Sequence, residues 1–184
     1  MTKSNTLIHH EVVGNLDVVI RYPQKEDIVA MRDFINEISR EKTYIRLQGE
    51  ELSLKEETKY VDGQLKKILK KETVQLLLFV NDELSGVTAI DLGEKIKRHI
   101  GVFGITVSRK QRGKGLGKLL MKLVLEEASK NIPNLKIVTL ECFAENEKAI
   151  NLYKSFGFIA YGRLPKGNYY KGRFVDDIQM YKNV

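Results

Sequence analysis

Ile105-Thr106-Val107-Ser108-Arg109-Lys110-Gln111-Arg112-Gly113-Lys114-Gly115-Leu116-Gly117-Lys118 reads as a strand that passes into a helix through a glycine-rich, basic turn. Glycines at alternate positions let the backbone turn sharply and let a ligand approach main-chain N–H groups without interference from a Cβ. The first N–H groups of the following helix have no internal partners. With the helix dipole, worth roughly half a charge, they form an anion site. Arg109, Lys110, Arg112, Lys114 and Lys118 add positive potential around it. Two phosphate motifs fail on spacing. A dinucleotide fingerprint needs a glycine where Lys118 stands, and a P-loop needs a glycine in place of Arg112 and Ser or Thr in place of Leu119. Arg112, Gly115 and Gly117 fit Arg-x-x-Gly-x-Gly instead.

Outward from this turn the chain reads as one domain, residues 1–184, with residues 1–14 expected to be loosely attached. A content of 42% hydrophobic and 30% charged residues suits a packed globular core rather than a disordered chain. No apolar run approaches the roughly 20 residues a bilayer requires. With no apolar N-terminal leader and the lone Cys142, this makes a cytoplasmic protein without disulfides the expectation. The three histidines show no metal-ligand spacing, so no metal is expected. The net charge of +7 favours an anionic partner, but a polyphosphate cofactor satisfies it as well as a nucleic acid does.

Strands are expected at 16–22, 74–80, 84–92, 100–107, 136–143, 158–164 and 174–181. Val74-Gln75-Leu76-Leu77-Leu78-Phe79-Val80 is apolar enough for a strand covered on both faces. Helical spacing marks Ile28, Met31, Ile35 and Ile38, then Val61, Leu65, Ile68 and Leu69 in a helix over 55–70. It also marks Leu116, Leu119, Leu120, Leu123 and Val124, and a last helix over 147–156 stopped by Gly157. The order β-α-α-β-β-β-α-β-α-β-β gives a mixed α/β fold on a central sheet of about seven strands with about four helices.

The second informative stretch is Asn146-Glu147-Lys148-Ala149-Ile150-Asn151-Leu152-Tyr153-Lys154-Ser155-Phe156-Gly157-Phe158. Asn146 fits a helix N-cap at a strand end. Seven residues fall about 20° short of two full turns, so Tyr153 shares a face with Asn146, Ala149 and Ile150. An apolar-face tyrosine is ordinarily core. It also suits a thioester reaction, in which an amine attacks and a thiolate leaves. A positioned phenol can protonate that thiolate.

The Arg-x-x-Gly-x-Gly loop followed by the N-x-x-A-x-x-L-Y-x-x-x-G-F pattern resembles the GNAT superfamily of N-acetyltransferases. The specific motifs lie within 100–158, and the likeness extends over roughly 17–181. The resemblance implies a mostly antiparallel sheet splayed between its fourth and fifth strands, with acetyl-CoA as donor and CoA as product. It implies that main-chain groups of Ile105, Thr106 and Val107 meet the pantetheine arm. The loop from Arg112 through Gly113, Lys114, Gly115, Leu116 and Gly117 to Lys118 would take the pyrophosphate. Asn146 and Tyr153 would sit by the cofactor, with Tyr153 as the acid near the sulfur.

Glu141 occupies the position of a glutamate that some protein-acetylating members use as base, and His99 is a second candidate. Glu141 is equally readable as a contact for a cationic acceptor. Tyr44 and Arg46 fall where acceptor pockets of the family are built. Cys142 alternates with Glu141 and is read as core; Asp176 and Asp177 alternate faces, so at most one of them lines the cleft. The expected activity is direct transfer of an acetyl group to a primary amine in a ternary complex. The acceptor leans to a small molecule such as an amino acid or polyamine. Protein N-terminal or lysine acetylation is the alternative. A non-catalytic CoA-binding or nucleic-acid-binding module is the rival class. No membrane or nucleic-acid partner is expected, and dimerisation, common in the family, is the assembly to test for.

Overall fold

The computed structural model describes residues 7–184. In chain order the elements are β1 (Leu7–Val13), β2 (Leu16–Arg21), α1 (Ile28–Arg40), α2 (Leu54–Leu69), β3 (Thr73–Val80), β4 (Glu83–Leu92) and β5 (Ile100–Val107). They are followed by α3 (Leu116–Asn131), β6 (Ile137–Phe143), α4 (Glu147–Ser155), β7 (Ile159–Tyr170) and β8 (Arg173–Asn183). The strands hydrogen-bond in the order β1-β2-β3-β4-β5-β6-β8-β7. The β1–β2, β2–β3, β3–β4, β6–β8 and β7–β8 ladders are antiparallel and β5–β6 is parallel. This is the mixed α/β sheet expected from the sequence, with eight strands rather than seven.

The additional strand corrects the expectation for residues 1–14. Leu7–Val13 pairs with β2, and residues 1–6 lie outside the described residues. Leu7-Ile8-His9-His10-Glu11-Val12-Val13 is an edge strand with no fully buried residue, so it shows no apolar alternation. The Gly14-Asn15 pair that closes the hairpin, with Gly14 at φ 63°, is the signal that could have found it.

The chain divides into two compact units, Met1–Asp91 with Gly104–Pro133, and Leu92–Phe103 with Asn134–Val184. In the first unit β3 is buried along nearly its whole length. Leu77 meets α1 and α2 in a cluster with Met31, Phe34, Ile38, Val61 and Leu84. Alternation sends Leu78 to the other face, where it and Leu120 of α3 crowd Gly86; a Cβ there would meet them at 3.1 and 3.3 Å. Leu65 is only partly buried and Leu69 is 62% exposed, so the inner face of α2 is carried by Val61, Gln64 and Ile68.

In the second unit the parallel ladder covers only Ile100–Val102 against Ile137–Thr139 and ends there. β6 pairs with β8 from Ile137↔Asn183 to Phe143↔Asp177. β7 and β8 run beyond the expected 158–164 and 174–181, joined by Lys171 and Gly172 at φ 50° and 79°. Pro165 and Gly167 conceal this continuation in the sequence. β7 is an edge strand with a bulge between Leu164 and Asn168, a place where a proline costs no ladder bond.

Candidate active site

The glycine turn lies wholly in the first unit. After β5, Arg109–Gln111 form a short 3-10 turn, then Gly113 and Gly115 both take φ 81°. Any other residue there would carry left-handed strain. Gly117 differs, because its φ is not positive and an added Cβ would make only ordinary contact with Val107 at 3.7 Å. α3 starts on Gly115 without a side-chain cap, and its first helical bond runs from Leu119 N–H to Gly115 O. The main-chain N–H groups of Leu116, Gly117 and Lys118 therefore find no partner inside the helix.

The basic flank is not uniform. Lys110 pairs with Glu83 at 2.9 Å, Arg112 with Glu41 at 2.7 Å, and Lys114 donates to Gln111 Oε1 at 3.0 Å. Arg109 and Lys118 have no such partner among the described residues. Ile105, Thr106 and Val107 are half-buried on β5, and Val107 O already accepts from Arg112 Nε at 2.9 Å. Tyr44 and Arg46 lie between α1 and α2, the first half-buried and the second exposed. That segment is held to α1 by Asn36, which exchanges two hydrogen bonds with Leu52, and by Ser39, which donates to Glu50 O and accepts from Gly49 N–H.

The second unit holds Tyr153. Asn146 caps α4 through its side-chain oxygen, which accepts from Ala149 N–H at 3.3 Å. Tyr153 is 8% exposed and packs edge-on against Phe103 with centroids 6.0 Å apart and 6.3 Å from Phe158. Burial raises its phenol well above the ordinary value of 10, with a smaller contribution from Cys142. The side chain is thus neutral and carries its proton throughout the physiological range. Cys142 is buried as expected. Burial, then the charge of Asp177, pushes its thiol up to about 11, which leaves it unreactive at neutral pH.

Glu141 stands on the opposite face of β6 from Cys142 and is exposed. Gln179, its register partner on β8, donates to Glu141 Oε1 at 3.2 Å. Asp177 shares that face, two residues along the strand. Desolvation raises its carboxyl above the usual range, an Asn168 hydrogen bond of 3.0 Å opposes this, and the charge of Glu141 adds to it. Asp176 points the other way; it accepts from the Lys166 N–H at 2.9 Å and from Arg163 Nε at 2.7 Å, which hold its carboxyl low. Alternation alone puts the two aspartates on opposite faces; the strand register decides that Asp177 is the one on the Glu141 face.

His99 is not brought to Glu141. Its carbonyl accepts from the N–H groups of Lys136 and Ile137, which places it four to five residues from Glu141 along β6, about 13–17 Å. Its side chain lines an open pocket with Lys95, Ile96, Arg98 and Asn134. The sequence also passed over Phe103, Gln179 and Glu41, whose roles come from neighbours distant in the chain. Among the described residues no three His, Cys, Asp or Glu side chains gather as a metal-ligand set, and no helix is long and apolar enough to cross a membrane.

Comparison with known proteins bears directly on this arrangement. The sequence model of the acetyltransferase (GNAT) family matches residues 32–158, more than half of the chain. The L-amino acid N-acetyltransferase AaaT of Escherichia coli is 29% identical over 107 residues, 58% of this chain and 65% of that protein. The spermidine N(1)-acetyltransferase of Vibrio cholerae is 34% identical over 79 residues, 43% of this chain and 45% of that protein. The chain thus spans less than two thirds of the length of these curated relatives. A GNAT-family acetyltransferase from Streptococcus pneumoniae superimposes with a TM-score of 0.82 at 27% identity, over 91% of this chain and 99% of that one.

Proposed function

The chain belongs to the acetyltransferase (GNAT) family, and on that premise we propose that it transfers the acetyl group of acetyl-CoA to a small primary amine. The observation that carries the proposal is the turn with Gly113 and Gly115 at φ 81°, which leads into an α3 whose first amides have no helical partner. That turn suits the pyrophosphate of CoA, with Arg109 and Lys118 as cations that have no partner among the described residues. Residues 105–107 receive the pantetheine arm, and the whole of 1–184 acts as one catalytic domain.

Tyr153 acts as the acid. Its phenol remains protonated because burial opposes its ionisation, so an O–H is available to the sulfur as the carbon–sulfur bond breaks. The amine nitrogen forms the new bond to the carbonyl carbon and must lose a proton. Glu141 takes that proton, directly or through water. Cys142 stays a thiol, which favours direct attack over an acetyl-cysteine intermediate.

Glu141 and Asp177 on one face favour a cationic acceptor, the common property of amino-acid amines and polyamines. Both acceptor classes occur among the relatives. The test is release of CoA thiol from acetyl-CoA with a panel of amino acids, polyamines, aminoglycosides and N-terminal peptides. The small amines are expected to react, and the peptides to stay at background. Acetyl-CoA must also raise the melting temperature by mass action, and the absence of a shift at millimolar ligand would overturn the donor assignment.

A further inference from the structure

Glu41, at the C-terminal cap of α1, is the ion partner of the arginine that opens the phosphate signature. Its Oε2 lies 2.7 Å from Arg112 Nη1, while Arg112 Nε donates to Val107 O at 2.9 Å. One guanidinium thus bridges the end of β5 and the end of α1. The Glu41 side chain is 14% exposed, and its Oε1 is buried without a hydrogen-bond partner among the described residues. A carboxylate placed this way depends on its cation, because removal of either member leaves a poorly solvated charge. α1 is itself a braced anchor, through the bonds from Asn36 and Ser39 to the segment that follows it.

The turn beyond Arg112 needs such an anchor. Gly113 and Gly115 sit in open space, with nothing within 4 Å of an added Cβ, and α3 starts without a side-chain cap. Glycines lose the most backbone freedom on ordering, so a free turn of this composition would bind an anion only after a large entropic loss. We propose that Glu41 is a positioning residue for the donor turn, holding Arg112 across the β5–α3 connection so that the main-chain amides are set before the pyrophosphate of CoA arrives. This rests on reading the turn as the CoA site. A corollary is that Arg112 serves the pyrophosphate chiefly through the shape of the turn, since its charge is already matched by Glu41.

The test is calorimetric titration of CoA into the whole chain, its Glu41→Gln and Arg112→Gln variants and the double variant, with melting curves of each without ligand. Each single change is expected to weaken CoA about tenfold, and the double to be about as weak as the worse single, because both break one tether. In steady state the KM for acetyl-CoA should rise more than kcat falls. Glu41→Gln binding CoA as tightly as the parent, or more tightly because Arg112 is released to the phosphates, would overturn the proposal; so would losses that multiply in the double variant. If Glu41→Gln does not fold, Arg112→Lys keeps the charge but loses the bridging fork, and it must show the same weakening. Unchanged affinity in that variant overturns the idea. A parent that binds no CoA would instead remove the proposed function itself.

Discussion

The two stretches that carry the signature obtain their chemistry in opposite ways. The turn at 113–115 is exposed, and it acts through main chain whose shape is dictated by two glycines at φ 81°. The helix with Tyr153 is half-sunk in apolar side chains, and its one polar atom of interest gains its character from burial. One site is set by backbone conformation, the other by environment. Substitutions should therefore separate them, affecting donor affinity in the first and turnover in the second.

The largest effect is expected at Tyr153. Tyr153→Phe should lower kcat by about two to four orders of magnitude while CoA affinity by calorimetry stays near the parent's. Equal loss of both would reduce the tyrosine to a wall of the pocket. Glu141→Gln should lower kcat/KM by about a hundredfold near neutrality and abolish the acidic limb of the pH profile. An unchanged limb would remove Glu141 as base and direct attention to Asp177, whose carboxyl is already raised by burial.

The glycines give a finer test. Gly117→Ala should leave the melting temperature unchanged, since its Cβ would meet only Val107 at 3.7 Å, yet weaken CoA by about an order of magnitude by obstructing ligand approach. Gly115→Ala should in addition destabilise the fold by about 1–2 kcal/mol, the cost of a Cβ in the left-handed region. If both variants melt alike, the distinction between conformational and ligand-driven glycines fails.

The smallest effect expected is an absence of change. Tyr153 has a folded pKa above its unfolded value, so it contributes stability that is fully present below about pH 10 and is lost as pH rises through the folded value. Neither thermal stability nor kcat should fall through phenol ionisation between pH 7 and about 9.5. A kcat that declined in that interval with a tyrosinate absorbance signal would show the hydroxyl to be hydrated rather than buried.

Much of the fold was legible because local rules carry it. β3 is apolar from Val74 to Val80, α2 has its Ser53–Glu56 capping box, and the turn before β4 uses Asn81 and Asp82 at positive φ. Where the periodicity was weak the reading fell short. β1 is a half-exposed edge without alternation, and β7 hides its continuation behind Pro165 and a bulge.

The sequence by itself determined the order of the elements from β2 onward, the phosphate-type turn and the identity of the acid candidate, since each rests on spacing within one segment of chain. Tertiary structure decided what spacing cannot reach. It put Asp177 rather than Asp176 on the face of Glu141, placed His99 away from Glu141, raised the phenol of Tyr153 by packing it on Phe103, and joined Glu41 to Arg112. Each of these depends on residues far apart in the chain, whose proximity, desolvation and pairing come into being only when the sheet is assembled.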